Sequence, residues 1–172
     1  PLPMKRPIQF ITCLSAAFFL QSASADEPKK DAKATDKPAA ESKEEVADIE
    51  VTITGNDTMQ FDKKAFTVET GKKVKLTFKN VGKFPKAAMG HNVVILKKGT
   101  NKVTFATAAI TAGPAADYMP AANKKDVLVA TKLLGPGEEE SVVFTAPEPG
   151  LYDYICTFPG HFALMNGVMT VK

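Results

Sequence analysis

From residue 46 to the C-terminus, apolar and polar positions alternate with a period of two. Ile49-Glu-Val-Thr-Ile-Thr54 places its aliphatic side chains on one side and breaks at Gly55-Asn56-Asp57. Successive side chains of an extended chain point to opposite faces, so this pattern predicts a strand with one buried face. Phe66–Glu69, Val74–Lys79, Asp126–Ala130, Ser141–Thr145, Leu151–Ile155 and Gly167–Val171 repeat the signal, with turn-forming residues between them. Val93-Val-Ile-Leu96 is apolar throughout, which predicts a strand covered on both faces or set in a sandwich core. About eight short strands at this spacing predict an all-β antiparallel sandwich or barrel. Residues 103–123 depart from the pattern: they are Ala-rich, lack alternation and reach Pro120, which predicts a short helical insertion between strands. No internal repeat is present.

The first 45 residues read differently. Lys5 and Arg6 precede an apolar run, Ile8–Leu20, and Ala23-Ser24-Ala25 supplies small residues at a cleavage position. These features predict a secretory signal peptide over residues 1–25, with Pro1-Leu2-Pro3 upstream of Met4, and Asp26 as the first mature residue. The apolar run is too short to cross a bilayer as a helix. Residues 26–45 carry Lys, Asp, Glu and Pro with alanine as the main apolar type. Such a segment buries too little surface to offset its ordering entropy, and it reads as a disordered charged linker. The folded domain is then residues 46–172.

Charge adds little. Lys and Arg number 22 against 19 Asp and Glu, a net +3, and Arg6 is the sole arginine. Nothing in this balance points to nucleic acid.

Cysteine counting changes the picture more. Cys13 leaves with the signal peptide, so the mature chain keeps Cys156 together with His91 and His161. Exported proteins normally pair their cysteines. A lone thiol there is buried, linked to another molecule, used chemically or bound to a metal. Cys156-Thr-Phe-Pro-Gly-His161-Phe-Ala-Leu-Met165 gathers a thiol, an imidazole and a thioether within ten residues. Thiolate, two imidazoles and a weak axial thioether make up the blue-copper donor set. The second imidazole falls to His91, within Met89-Gly-His-Asn-Val93, and the histidine inventory then closes. Singly, each residue has an ordinary reading: a buried small thiol, two surface histidines, a core methionine. Zinc competes for Cys and His, but structural zinc sites favour several thiolates at Cys-x2-Cys spacing, which is absent. A copper delivery or storage protein and a Cys–His hydrolase are the alternatives in other classes. The hydrolase would leave Met165 without a role.

The sequence resembles the azurins, bacterial cupredoxins, over essentially all of residues 46–172. The matching stretches are Gly55-Asn-Asp-Thr-Met-Gln-Phe61, Phe84-Pro-Lys-Ala-Ala-Met-Gly-His-Asn92, Thr131-Lys-Leu-Leu-Gly-Pro-Gly137 and Cys156–Met165. The resemblance implies an eight-stranded Greek-key sandwich and a periplasmic one-electron carrier that transforms no substrate. It implies one type 1 copper with His91, Cys156 and His161 as equatorial ligands, Met165 as axial ligand and the Gly90 carbonyl as a second weak axial contact. It further implies that Asn92 and the Phe158 backbone N–H support the ligands. Met59, Met89, Pro159, Phe162 and Ala163 would form an apolar docking patch for redox proteins such as cytochromes c or a copper nitrite reductase. The chain departs from azurins at three places. The usual disulfide positions are Ile49 and Lys72, the usual core tryptophan is Val93, and a frequent histidine near the site is Asn80.

Overall fold

The computed structural model describes residues 46–172. The predicted signal peptide and linker lie outside the described residues. Two sheets face one another, of four and five strands. The first sheet contains β1 (Ile49–Asn56), β2 (Gln60–Phe61), β4 (Lys73–Asn80) and β7 (Glu139–Thr145), in the order β2-β1-β4-β7. The second contains β3 (Ala65–Val68), β5 (Val94–Leu96), β6 (Val127–Ala130), β8 (Gly150–Ile155) and β9 (Asn166–Val171), in the order β3-β9-β8-β5-β6. All eight predicted strands are present, seven read from alternation and one from its continuous apolar run, and β2 is a two-residue ninth.

Alternation fixes which face each strand turns inward. Val51 and Ile53 of β1, Val74, Leu76 and Phe78 of β4, and Met169 and Val171 of β9 are buried in one core. Tyr154 of β8 is fully buried there and donates its hydroxyl to the Lys63 carbonyl at 2.7 Å, so the phenol brings no unpaired group inside. The pairing departs from the antiparallel expectation at two places: β1 runs parallel to β4 and β3 parallel to β9. Between β1 and β4 the chain crosses to the second sheet to form β3. Pairing direction is thus set by that excursion, which local alternation does not encode.

β5 accounts for its continuous apolar run. Ile95 faces the inter-sheet core, whereas Val94 and Leu96 lie beneath Phe105 and Ala106 of helix α2 (Lys102–Ala112). The predicted insertion is this helix followed by short 3-10 turns at Pro114–Ala116 and Ala121–Asp126. Asn101 caps α2, its side-chain oxygen accepting from the N–H groups of Val103 and Thr104 at 3.0 Å each. A four-residue helix α1 (Lys86–Met89) leads into Gly90 and His91.

Next to Ile49 and Lys72, the positions where the resemblance leads to the expectation of a disulfide, hydrogen bonds bind the sheet. The Asp48 N–H donates to the Lys73 carbonyl at 2.9 Å, and the Lys73 N–H donates to the Asp48 carboxylate at 2.8 Å. Cys156 is a free, buried cysteine. Val93, at the tryptophan position, is packed in the core.

Candidate metal centre

Two chain segments meet at one end of the sandwich. The first is the entry to β5. His91 forms an isolated bridge with Leu134: its N–H donates to the Leu134 carbonyl at 3.1 Å, and the Leu134 N–H returns the bond at 2.8 Å. That same carbonyl accepts from the Asn80 side-chain amide at 3.0 Å, which ties the segment to the end of β4. Gly90 sits immediately before His91 in a place too tight for a side chain. A Cβ there would lie 2.7 Å from the Lys86 carbonyl oxygen and 2.9 Å from Leu133 Cγ.

The second segment joins β8 to β9. The antiparallel ladder continues one step beyond Ile155↔Asn166, with the Cys156 N–H donating to the Met165 carbonyl at 3.0 Å. Cys156 and Met165 are thereby set opposite one another at the neck of a loop. Gly160, at φ +81°, makes the left-handed turn that a side chain would resist, and a short 3-10 turn from His161 to Ala163 returns the chain. The Met165 N–H donates to the His161 carbonyl at 2.7 Å. The Asn166 side-chain amide donates to the carbonyls of Phe162 at 2.8 Å and Ala163 at 3.1 Å. The loop is therefore fixed by its own backbone together with the Asn166 side chain.

Asn92 joins the two segments. Its side-chain oxygen accepts from the Thr157 N–H and its amide donates to the Thr157 hydroxyl, both at 2.8 Å. Behind it, the Val93 N–H donates to the buried Thr131 hydroxyl at 3.0 Å. Thr131, Thr157 and Leu134 drew no attention in the sequence as supporting groups. The only signal was that Thr157 follows Cys156 directly and that Thr131 and Leu134 lie in a stretch shared with azurins.

The result is a compact donor set. Cys156 Sγ lies 4.0 Å from His91 Nδ1 and 3.6 Å from His161 Nδ1. The three donor atoms fall within 4.8 Å of one another. Metal bonds of about 2.3 Å to sulfur and about 2.0 Å to nitrogen, opened by roughly 120°, put the two donors about 3.7 Å apart. The observed separations fit one ion between them. Met165 is fully buried beside this set.

Burial controls the protonation of every donor. It pushes the Cys156 thiol up to about 12, although the Asn92 and Phe158 backbones oppose this by hydrogen bonding to the sulfur. It pulls His161 down to about 4, with the nearby His91 acting in the same direction. His91 is lowered by desolvation too, opposed by the Asp57 charge and the Asn56 backbone. Its buried Nε2 nevertheless has no partner that meets hydrogen-bond geometry. Without a metal at neutral pH, the site holds a protonated thiol and two neutral imidazoles: a soft, uncharged, buried set.

Of the residues expected to form a docking patch, Met59, Met89 and Pro159 are half-buried and Ala163 is exposed. Phe162 turns its ring toward the cluster beneath α2, beside Val94, Leu96 and Ile155. Phe158 lies against the His161 ring, tilted by 36° at 4.6 Å between centroids, and meets Tyr118 edge-on at 5.2 Å. Phe84, which lies in an azurin-matching stretch, is 55% exposed.

A two-layer β-sandwich that buries a His-Cys-His set next to a thioether defines the class of small blue-copper electron carriers. Comparison with known proteins gives the family. A profile described as copper binding proteins, plastocyanin/azurin family, matches residues 47–172. Azurin from Alcaligenes faecalis is 41% identical over 124 residues, covering 70% of this chain and 95% of that protein. Auracyanin-A from Chloroflexus aurantiacus is 40% identical over 125 residues, 72% of this chain and 74% of that protein. The dithionite-reduced auracyanin of Roseiflexus castenholzii superposes with a TM-score of 0.66 at 42% identity, covering 74% of this chain and 99% of that one. The chain belongs to the plastocyanin/azurin family of copper-binding proteins, and it is an electron carrier that uses a type 1 copper.

Proposed function

We propose that this protein is a periplasmic carrier in which His91, Cys156 and His161 hold the single copper equatorially. Met165 and the Gly90 carbonyl are its weak axial contacts. The observation that carries this reading is the approach of both Nδ1 atoms to one buried sulfur, at 4.0 and 3.6 Å. Bound there, copper supplies a one-electron couple. The chain's own residues keep water out, hold the donors in one arrangement through Asn92 and Leu134, and present the His161 end of the site to partners. A fixed arrangement limits atomic movement when an electron arrives or leaves.

The partners are redox proteins, and the azurin resemblance suggests cytochromes c or a copper nitrite reductase. Met59, Met89, Pro159 and Ala163 offer the apolar surface such brief contacts use, and the partly buried Phe162 adjoins it in sequence. A hydrolase finds no support: a thiol held near 12 in a closed pocket is not a nucleophile at neutral pH. Residues 1–25 would serve as the export signal and residues 26–45 as a tether ahead of the domain at 46–172.

Copper(II) titration of the metal-free protein tests the assignment. An intense visible thiolate-to-copper band saturating at one copper per chain is expected, and Cys156→Ser abolishes it while far-ultraviolet circular dichroism stays the same. A colourless wild type, or a Cys156→Ser variant that remains blue, refutes it.

A further inference from the structure

β1 ends inward on a glycine. Val51 and Ile53 fill the preceding inward positions with aliphatic side chains, and Gly55, also buried, stands third in that row. Its backbone does not require glycine, because Gly55 is absent from the positive-φ positions. A glycine inside a strand weakens it and marks a place where another group comes close. Here that group is Met165. A Cβ on Gly55 would lie 2.5 Å from Met165 Cε, and 3.0 and 3.2 Å from Phe78 Cζ and Cε2. Carbon atoms pack best at about 3.5–4.0 Å, so the methyl cannot stay where it is once a Cβ is present.

The neighbours determine what would move. Gly55 pairs with Phe61 on one side and Asn80 on the other, and its carbonyl accepts from the Val81 N–H at 2.8 Å. The Phe78 ring is fully buried and held edge-on against Phe61 at 5.9 Å. Met165 is the adaptable member, with an unbranched side chain of three rotatable bonds. Its backbone is pinned at both polar groups, by the Cys156 N–H and the His161 carbonyl. The larger displacement therefore falls on the thioether arm, while the Phe78 ring has only a few tenths of an ångström to give.

We infer that Gly55 is a positioning residue of the copper site: the space left by its missing Cβ sets where the Met165 thioether rests. This rests on the reading above that Met165 is an axial donor. The axial ligand tunes the reduction potential of such sites. A residue that never touches the metal thus sets that potential from the opposite sheet.

Gly55→Ala, Met165→Ala and the double variant, each in the full chain, test it. Gly55→Ala should fold and bind copper, with a shifted reduction potential and charge-transfer spectrum. In the metal-free protein, the Met165 methyl signal in 1H–13C spectra should move. On the Met165→Ala background, where Cε is gone and only the Phe78 ring stays close to the new Cβ, Gly55→Ala should add no comparable shift. An unmoved methyl signal with an unchanged potential overturns the inference, as does a Gly55→Ala shift that persists in full without Met165. Should Gly55→Ala alone fail to fold, recovery on adding Met165→Ala supports the inference and continued failure overturns it. A Met165→Ala protein with wild-type spectrum and potential instead refutes the axial assignment, while the methyl signal still reports on Gly55.

Discussion

Each donor at the site is held in the form that is easiest to keep dry, and this has a consequence in acid. In the metal-free protein His161 titrates near 4 rather than 6.5, because burial and His91 disfavour its cation. The unfolded chain therefore binds protons first as pH falls through 6.5, and stability declines between there and about 4. At 1.36 kcal/mol per pH unit the loss from His161 approaches about 3 kcal/mol, and His91 adds to it in the same direction. Above 6.5 the contribution is fully present. Urea denaturation of metal-free protein at neutral pH and near pH 4.5 measures this, and equal stabilities at the two would contradict it. The candidate donors were legible as a short inventory: within residues 46–172, one cysteine, two histidines, and a methionine nine residues past the cysteine. Their support was less so. Thr157 is an ordinary polar residue until the fold sets it 2.8 Å from Asn92, 65 positions away in sequence. Gly55 resembles any turn glycine until Met165 arrives from the other sheet.

Elements were readable to the extent that a strand announces its own buried face. The alternation in β1 and β4 marks Val51, Ile53, Leu76 and Phe78 as inward, and all four are. The parallel β1–β4 pairing is not written in either strand, since it depends on the chain visiting the second sheet between them. β2 escaped because two residues cannot display a period. Helix α2 was visible mainly as a failure of strand alternation: its buried residues are Phe105, Ala106 and Ala109, a narrow contact of one aromatic ring and two alanines. Its firmest local determinant is the Asn101 cap, which satisfies two N–H groups. Asn101→Ala should cost about 1 kcal/mol in chemical denaturation and leave the copper spectrum unchanged, since α2 lies over Val94 and Leu96 and supplies no donor. A spectral change would show that the helix governs the site after all.

At the scale of the whole molecule, the donors come from two segments 65 residues apart that only the folded sandwich brings together. A metal that binds the native state far better than the unfolded one stabilises it by mass action, about 2.7 kcal/mol at a hundredfold excess over the dissociation constant. For a domain of this size the melting temperature should rise on the order of 10 °C, and keep rising with free copper. Calorimetry on metal-free and copper-loaded protein checks this, and an indifferent melting temperature would mean that the native fold gains nothing from the ion. The buried thiol adds a further requirement. With Cys156 held near 12, nearly every molecule must surrender a hydrogen ion to the surrounding buffer as it takes up copper at neutral pH. Acidity thus competes with the metal for one sulfur atom: each tenfold rise in hydrogen-ion concentration weakens copper uptake by about tenfold.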